Sequence, residues 1–588
     1  MTHSRAVVMR LHPVRITTFA CVTTMLLPRL DVTSADVMFA PSRAGNALHA
    51  QARPSAISDD PLRYAIIPRP EVLTARSGAY TIRASTIVHA DPLFVPAARR
   101  FARDIGGATG FDLTVRATSA GTGGIRLIRD RTLAARADEN GEEAYRLDVT
   151  ASGIVIRARA PAGAFYALQS VRQLLPPDIL RSARVAGATW TVPSVHVEDT
   201  PRFSWRGAHL DVSRHFMPKE FVKKYIDILA LHKLNRFHWH LTEDQGWRIE
   251  ILKYPRLTEV GSCRDQTLIG PSVADPAKRV FDGKKHCGFY TQDDVREIVA
   301  YAAERYITVV PEIEMPGHAQ AAIAAYPQLG VRPDTTVSVL GVWGVSEYIL
   351  NADDRTIAFL QDVLTEVLAL FPGPFIHIGG DEAVKTQWQA SPQIQARIRQ
   401  LGLKDEHELQ SWFIRQMDTF LTQRGRRLIG WDEILEGGLA ENATVMSWRG
   451  MDGGIAAAKA GHDVVMAPGS HTYFDHYQAL DKKSEPLAIG GFLPLDTVYA
   501  FEPVPPSLTP DEAKHILGAQ SQMWTEYLHT PKDVEYMLMP RLSALAEALW
   551  SAKSRRDYGD FLARMTTHEK RMQAMDINYR KFSPPAIK

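Results

Sequence analysis

The chain has 588 residues, of which 45% are hydrophobic and 23% are charged, a composition typical of a soluble globular protein with more than one domain. Its 68 basic and 66 acidic residues leave a formal net charge of only +2, and there is no basic stripe with interleaved aromatic residues. We therefore expect no nucleic-acid partner.

The N-terminal 50 residues differ from the rest of the chain. Arg5, Arg10 and Arg15 precede an apolar run over residues 16–27. This run is too short to span a bilayer but suits the core of a signal peptide, so we expect residues 1–50 to be a signal peptide or disordered head and the protein to be exported, periplasmic or secreted. Residues 33–35 and 48–50 are candidate cleavage sites, and a misassigned start is the alternative.

Residues 61–198 predict a small α+β domain. Residues 145–149 alternate like a half-buried strand, residues 153–158 follow as a second strand, and together they predict a hairpin. Apolar residues at helical spacing over 162–175, stopped by Pro176 and Pro177, predict a helix. No catalytic constellation is evident here, so we expect a structural role, with the domain packed against its neighbour.

Residues 202–566 predict a (β/α)8 TIM barrel, which would make the chain an α/β protein, followed by a C-terminal tail over residues 567–588. About eight apolar, β-branched runs end in polar or aromatic residues: 205–214, 235–244, 307–318, 375–382, 427–433, 444–449, 463–475 and 516–526. Helical patterns fit between them, one beginning at Thr291 and one over residues 353–370. Because barrel active sites lie where the strands end, we expect function there.

Asp381 and Glu382 follow one of these runs directly, after Gly379 and Gly380. Two adjacent carboxylates at the end of a buried strand repel each other, which tends to raise one pKa toward the range of a general acid. The alternative is a glycine turn followed by acids at the start of a helix, where anions suit the helix dipole.

The cysteines leave one question open. Cys263 and Cys287 flank a loop rich in glycine and lysine and could pair in an oxidising compartment, although unpaired thiols fit equally well. Cys21 lies in the N-terminal apolar run without a convincing lipoprotein context. The chain has no metal-ligand cysteine spacing.

Four segments resemble successive motifs of the β-N-acetylhexosaminidases, glycoside hydrolase family 20: residues 210–216 (LDVSRHF), 238–241 (HWHL), 311–318 (PEIEMPGH) and 377–382 (HIGGDE). The motifs occur in order along the predicted barrel. Residues 162–169 (AGAFYALQ) resemble the N-terminal module of the same family, so the resemblance covers all but about the first sixty residues.

The resemblance implies an exo-acting, retaining hydrolysis of terminal β-linked N-acetylglucosamine or N-acetylgalactosamine, in which the substrate's acetamido group is the nucleophile and an oxazolinium forms. Glu382 would protonate the glycosidic oxygen and then activate water, while Asp381 would orient the acetamido NH. Adjacent residues cannot act from both sides of one bond, which fits an internal nucleophile. No metal or organic cofactor is implied. The expected partners are oligosaccharides or glycoconjugates that contain N-acetylhexosamine, including those from chitin and murein.

Further site residues follow from the resemblance. Trp431, Trp448 and Trp524 would form an aromatic box around the sugar, although a single tryptophan is more often core. Tyr473 would bind the acetamido carbonyl, with a rim hydroxyl as the alternative.

The remaining residues would hold the sugar's hydroxyl groups and support the acid. Arg214, Asp475 and Glu526 would bind hydroxyls, the last two the 4- and 6-hydroxyls, although surface ion pairs are the ordinary role of such charges. His318 would support Glu382, backed by an acid that we align with Glu243, one methylene longer than the family's aspartate. Whether Glu243 or its neighbour Asp244 contacts His318 stays open.

Two alternatives belong to other classes. His238 and His240 share one face of a strand and could join His318 and Asp381 in the metal site of an amidohydrolase-like barrel, which would lose activity on chelation. An inactive carbohydrate-binding protein that keeps the sugar pocket is the other. The metal site would leave the three tryptophans unexplained. Neither the choice between glucosamine and galactosamine nor the oligomeric state follows from one sequence.

Overall fold

A computed structural model of the protein describes residues 64–133, 139–273 and 275–582. The predicted signal segment lies outside these residues. None of the helices within the described ranges is both long and apolar enough to cross a bilayer.

The first domain is a mixed sheet with two helices. Its seven strands lie in the order Val72–Ile82, Trp190–Asp199, Tyr145–Thr150, Gly153–Ala158, Ile125–Arg129, Val88–Ala90 and Val115–Arg116, and its helices are Val95–Thr109 and Pro161–Leu174. The predicted hairpin forms, with Tyr145 opposite Ala158. The α+β prediction is therefore confirmed.

The second domain is a closed barrel of eight parallel strands. They are β1 (Trp205–Asp211), β2 (Arg236–His240), β3 (Thr308–Glu312), β4 (Phe375–His377), β5 (Arg427–Trp431), β6 (Thr444–Ser447), β7 (Val464–Met466) and β8 (Ile516–Ser521). Each strand lies in one of the apolar runs that predicted it. The polar residues at the ends of those runs lie just beyond the strands, at the carboxyl edge of the barrel.

Helices connect the strands and cover the barrel. The longer ones are Lys219–Leu231, Gln292–Ala303, Asp354–Leu370, Pro392–Gln400, Glu406–Thr422, Asp452–Lys459, Pro531–Leu538, Arg541–Trp550 and Tyr558–Ala574, and shorter ones are Arg256–Glu259, Gln320–Ala325, Thr386–Ala390, Gly469–Thr472 and Leu495–Ala500. Thr291 caps its helix in a reciprocal pair with Asp294, and Asp353 caps the next long helix through the backbone of Thr356. Both caps were visible in the sequence.

A buried ion pair joins the two domains. Lys233, which follows the first barrel helix, lies 3.0 Å from Asp199 at the end of the N-terminal sheet, and both side chains are fully buried. Asp199 also accepts hydrogen bonds from Tyr145 (2.7 Å) and from the indole of Trp550 (2.8 Å). Loss of one partner would leave a buried charge unpaired, so we expect this network to hold the domains in one register.

The chain beyond residue 566 does not begin as a tail. The last helix, Tyr558–Ala574, continues through this position, and Arg571 is buried and donates to the carbonyl of Gln173 in the first domain. The folded structure therefore extends beyond residue 566, where the sequence pattern had placed the end of the barrel.

The question about the cysteines is resolved in favour of a bond. Cys263 and Cys287 lie opposite each other in a short antiparallel pair of strands, and their sulfur atoms are bonded. The intervening loop therefore leaves and returns at a single point beside the carboxyl edge of the barrel.

Candidate active site

A strained turn carries the acidic pair beyond β4. Gly379 and Gly380 have φ of +66° and +94°, and Glu382 itself has φ of +44°, which is unusual for a residue with a side chain. A Cβ atom at Gly379 would overlap the carboxylate of Glu314. Glycine is therefore required here, and the turn aims both carboxylates into the barrel mouth.

A cavity of about 300 Å³ lies at the barrel mouth above β4 and β5. The predicted residues that line it are Arg214, His318, Asp381, Glu382, Trp431, Trp448, Tyr473, Asp475, Trp524 and Glu526. Glu243 lies behind the cavity wall, where its carboxylate is 3.0 Å from the guanidinium of Arg214. The structure thus brings together every residue that the sequence placed in the site.

His318 lies between two sets of carboxylates. Its Nε2 is 3.5 Å from Oδ2 of Asp381 and 3.5 Å from Oε2 of Glu382. Its Nδ1 is 2.7 Å from Oε1 of Glu243 and 3.3 Å from Oδ2 of Asp244. Both members of the pair therefore contact His318, and the shorter contact is made by the longer side chain, Glu243.

The electrostatics of this chain favour a charged imidazole. Burial alone would lower the pKa of His318, but the negative charges of Glu243 and Asp381 raise it well above its usual value. Burial would raise the pKa of Glu243, but Arg214 and His318 hold it well below its usual value. A carboxylate and an imidazolium therefore persist side by side at neutral pH.

Of the two adjacent acids, Asp381 is the one whose pKa is raised. Burial, opposed by His318 and assisted by other carboxylates, raises its pKa to about 6. Repulsion by Glu382 contributes but is not the main cause, so the sequence-based reasoning identified the effect and overstated that source. The Glu382 side chain is 41% exposed, against 12% for Asp381, which leaves the glutamate facing the cavity entrance.

The three tryptophans and Tyr473 form the apolar walls. The Trp431 and Trp524 rings are 5.8 Å apart, and the Trp448 and Tyr473 rings stack at 6.2 Å. Two indoles are fixed by hydrogen bonds to acids, Trp431 to Glu312 at 2.8 Å and Trp448 to Glu433 at 2.9 Å. The rings are held in place without a ligand, as in a preformed sugar site.

Several polar atoms in the cavity wall have no hydrogen-bond partner within the described part of the protein. They are Arg214 Nη1, Asp381 Oδ1, Asp475 Oδ1 and Glu526 Oε2, all buried. Burial and the charge of Glu526 raise the pKa of Asp475 well above its usual value. Burial, opposed by Arg214 and assisted by Asp211, raises the pKa of Glu526. Buried polar groups normally have partners, so these atoms indicate where hydroxyl and amide groups of a ligand would bind.

Other residues of the site were not singled out from the sequence. Glu433 supports Trp448, and burial together with the charge of Asp381 raises its pKa to about 8. Glu314 lies beneath the Gly379 turn, and burial together with Asp381 raises its pKa well above normal. Glu314 lies within the 311–318 motif and Glu433 ends the apolar run 427–433, so position at a strand end was the available signal. His476 and the Ile489–Gly491 segment also line the cavity, without such a signal.

The residues of the alternative metal site do not converge. His238 and His240 point to Glu312 inside the barrel, at 3.1 Å for His238, while His318 faces Asp381 above. Gln520 donates to Nδ1 of His238, so the proton of this ring is on Nε2, toward Glu312. Its pKa, lowered by burial to about 4, keeps the ring neutral. The four residues of this alternative therefore do not share one site.

An eight-stranded barrel with an Asp-Glu pair in an aromatic cavity at its carboxyl edge has the architecture of a glycoside hydrolase. The family model described as "Glycosyl hydrolase family 20, catalytic domain" matches residues 203–553, and the model "Glycosyl hydrolase family 20, domain 2" matches residues 63–200. The chain belongs to glycosyl hydrolase family 20.

Individual relatives agree with the family models. A β-hexosaminidase of Porphyromonas gingivalis is 51% identical over 440 residues, which are 74% of this chain and 54% of that protein, so the chain spans about half of this relative's length. A β-N-acetylhexosaminidase of Cellulomonas fimi is 34% identical, over 86% of this chain and 93% of that one. A solved structure of an exo β-N-acetylglucosaminidase from Vibrio harveyi in complex with N-acetylglucosamine matches with a TM-score of 0.76 and 33% sequence identity. The match covers 88% of this chain and 78% of that one.

Proposed function

We propose that the protein is an exo-acting, retaining glycosidase that removes terminal β-linked N-acetylglucosamine or N-acetylgalactosamine through an oxazolinium intermediate. The observation that carries the proposal is the spacing of the acidic pair. Oδ2 of Asp381 and Oε2 of Glu382 both lie 3.5 Å from Nε2 of His318, so the two carboxylates meet at one nitrogen. Carboxylates that act as acid and nucleophile, or as acid and base, are about 5 Å or more apart on opposite sides of the bond.

Glu382 is the proton donor in this proposal. Its carboxyl faces the cavity entrance, where the glycosidic oxygen of a bound terminal sugar would lie. It protonates that oxygen as the bond breaks and then takes a proton from the water that opens the intermediate. The charged His318 beside it, held by Glu243, stabilises the carboxylate that forms after the first proton transfer.

Asp381 acts on the substrate's acetamido group. Its unpaired Oδ1 accepts a hydrogen bond from the amide NH and so directs the carbonyl oxygen to the anomeric carbon. As positive charge spreads over the ring that forms, the ionised carboxylate stabilises it. The hydroxyl of Tyr473 binds the acetamido oxygen, and the tryptophan box surrounds the methyl group.

Arg214, Asp475 and Glu526 hold the non-reducing end of the sugar. Their unpaired buried atoms supply one guanidinium donor and two carboxyl acceptors for hydroxyl groups. The cavity that these residues line has a volume of about 300 Å³, so we expect it to hold a single terminal sugar residue. Oligosaccharides from chitin, glycans or murein, and glycoconjugates, all present such a residue.

The test compares an aryl β-N-acetylglucosaminide with the matching aryl β-glucoside, which lacks the acetamido group. We expect rapid hydrolysis of the first compound alone, unchanged by a chelator. Equal cleavage of both would mean that the protein supplies the nucleophile, and loss of activity with the chelator would restore the metal alternative. Absence of cleavage would favour a carbohydrate-binding protein.

We also propose that the protein is exported. The support is the arginine and apolar pattern of residues 1–27 and a disulfide between Cys263 and Cys287, a bond that persists in oxidising compartments. N-terminal sequencing of the mature protein from fractionated cells tests this. An intact N-terminus in the cytoplasmic fraction would refute it.

A further inference from the structure

The sugar cavity opens into a second cleft of about 420 Å³. Arg214, His318, Glu382, Ile489 and Glu526 line both spaces, so the two are continuous. Glu382 lies at the junction. If the terminal sugar occupies the inner cavity and Glu382 protonates the glycosidic oxygen, the leaving group extends into the outer cleft.

The walls that belong to the cleft alone are apolar. The side chains are those of Pro271, Trp343, Val345, Leu487 and Ala488, and the shared Ile489 continues this surface. Among the described residues, the side chains with a charge or an imidazole ring that line this space are Arg214, His318, Glu382 and Glu526, all shared with the sugar cavity. A leaving group in the cleft would therefore contact hydrocarbon over most of its surface.

Outside the residues shared with the sugar cavity, the cleft has few polar groups, and two of them contact each other. Besides the apolar walls, Ser272 and Tyr527 line it, and the backbone N–H of Ser272 donates to the hydroxyl of Tyr527 at 3.1 Å. A second sugar unit carries several hydroxyl groups that would exchange water for this surface. Polar groups that lose water without gaining partners weaken binding.

The tryptophan wall is formed in advance. Trp343 is only 8% exposed, its ring meets that of Tyr527 edge-on at 6.4 Å, and the guanidinium of Arg264 lies 5.5 Å from its centre. The facing wall is different, because Leu487 and Ile489 are 40% and 48% exposed, and Val345 is 44% exposed. Clustered apolar side chains left open to water are typical of a surface that a ligand covers.

We propose that this cleft binds an aliphatic leaving group, and that the substrates are N-acetylhexosaminides that carry a hydrocarbon chain next to the scissile bond. The inference rests on the proposed function and narrows it from any terminal N-acetylhexosaminide to this class. The cleft is assigned to the part of the substrate beyond the scissile bond because Glu382, the proposed proton donor, lines both spaces.

The experiment measures kcat/KM for ethyl and hexyl β-N-acetylglucosaminide, the second below its micelle concentration, and for the β-linked disaccharide of N-acetylglucosamine. Ethanol and hexanol are leaving groups of similar basicity. The ratio of kcat/KM for the hexyl compound to kcat/KM for the ethyl compound therefore reports contacts of the alkyl chain in the cleft. We expect the hexyl compound to be favoured about tenfold or more over the ethyl compound, and over the disaccharide.

Two substitutions make the ratio specific to the cleft. Leu487→Ser and Val345→Ser, at exposed positions that do not line the sugar cavity, should each reduce the hexyl-to-ethyl ratio to about one third. Leu480→Ser is the matched control, since Leu480 is 79% exposed in the same segment and does not line the cleft. Its ratio should equal that of the wild type.

A hexyl-to-ethyl ratio near one, a preference for the disaccharide, or an equal fall in the control variant would overturn the inference while the proposed function stands. If none of these compounds is cleaved, and an aryl N-acetylglucosaminide is not cleaved either, the proposed function itself is wrong.

Discussion

The Nδ1 of His318 lies 2.7 Å from Oε1 of Glu243, at positions 75 residues apart in the chain, and both groups are buried. The pair fixes the imidazole so that Nε2 points to Asp381 and Glu382. It also lowers the pKa of one partner and raises that of the other, which keeps both charged over the neutral range.

Removal of the Glu243 charge should change the pH profile. In Glu243→Gln the pKa of His318 falls, because a negative charge that raised it is gone, so the alkaline limb of kcat/KM should move to lower pH and kcat should fall about tenfold to a hundredfold. Asp244→Asn is the control, since Asp244 lies farther from Nδ1 of His318 than Glu243 does. The alkaline limb should move less in this variant. An unchanged limb in Glu243→Gln would mean that the pair does not tune the acid.

The acidic pair should respond to the leaving group in two different ways. Glu382→Gln removes the proton donor, so kcat/KM should fall about 10³-fold for alkyl glycosides but far less for a nitrophenyl glycoside, which needs little protonation. Asp381→Asn should slow all substrates by a similar factor. Rates measured over a series of leaving groups check this, and parallel slopes for both variants would contradict the separate roles.

The ionised Asp381 carboxylate should lower the free energy of unfolding at neutral pH. Because its pKa is raised from 3.8 to about 6, the folded protein binds this proton more tightly than the unfolded chain does, and the free energy of unfolding falls as pH rises through this window. The loss is at most about 3 kcal/mol. Asp381→Asn removes it, so the variant's gain in Tm over the wild type should be larger at pH 7.5 than at pH 5. Equal gains at both values would show that the carboxyl is not perturbed.

Glu433 should act as a neutral acid. With a pKa raised to about 8, it is protonated at pH 6.5, and Glu433→Gln keeps an acceptor for the Trp448 indole. At pH 6.5 we expect kcat/KM of Glu433→Gln to be within about threefold of the wild-type value. Glu433→Ala should raise KM about tenfold, because the Trp448 indole loses its hydrogen-bond acceptor. Above pH 8 the wild type should lose activity that the glutamine variant keeps. A glutamine variant as impaired as the alanine variant would show that the charge is needed.

The disulfide should stabilise the folded chain. Cys263 and Cys287 close a loop with a sequence separation of 24, which corresponds to about 3 kcal/mol from the restricted unfolded state. Urea unfolding of the double Cys→Ser variant should show a loss of this order. Reductant should lower the wild type to the same level and leave the variant unchanged, and an effect of reductant on the variant would point to another cause.

Local patterns carried the architecture, and the family resemblance supplied most of the site residues. Alternating and continuous apolar runs, the start of the helix at Thr291 and the Gly379-Gly380 turn depend on near neighbours in the chain, so the sequence alone was enough to predict them. The strand-end rule then placed the acidic pair and the tryptophans at one edge of the barrel, as the cavity shows.

Only the tertiary structure decided the contacts between distant segments. The choice between Glu243 and Asp244, the bond between Cys263 and Cys287, the support of Trp431 by Glu312 across 119 positions, and the apolar cleft beside Glu382 all join different loops or strands. The raised pKa of Asp381 is also a feature that only the tertiary structure decided. A pKa shift depends on how deeply a carboxyl is buried and on which charges surround it, and both are set by the packing of several strand ends together.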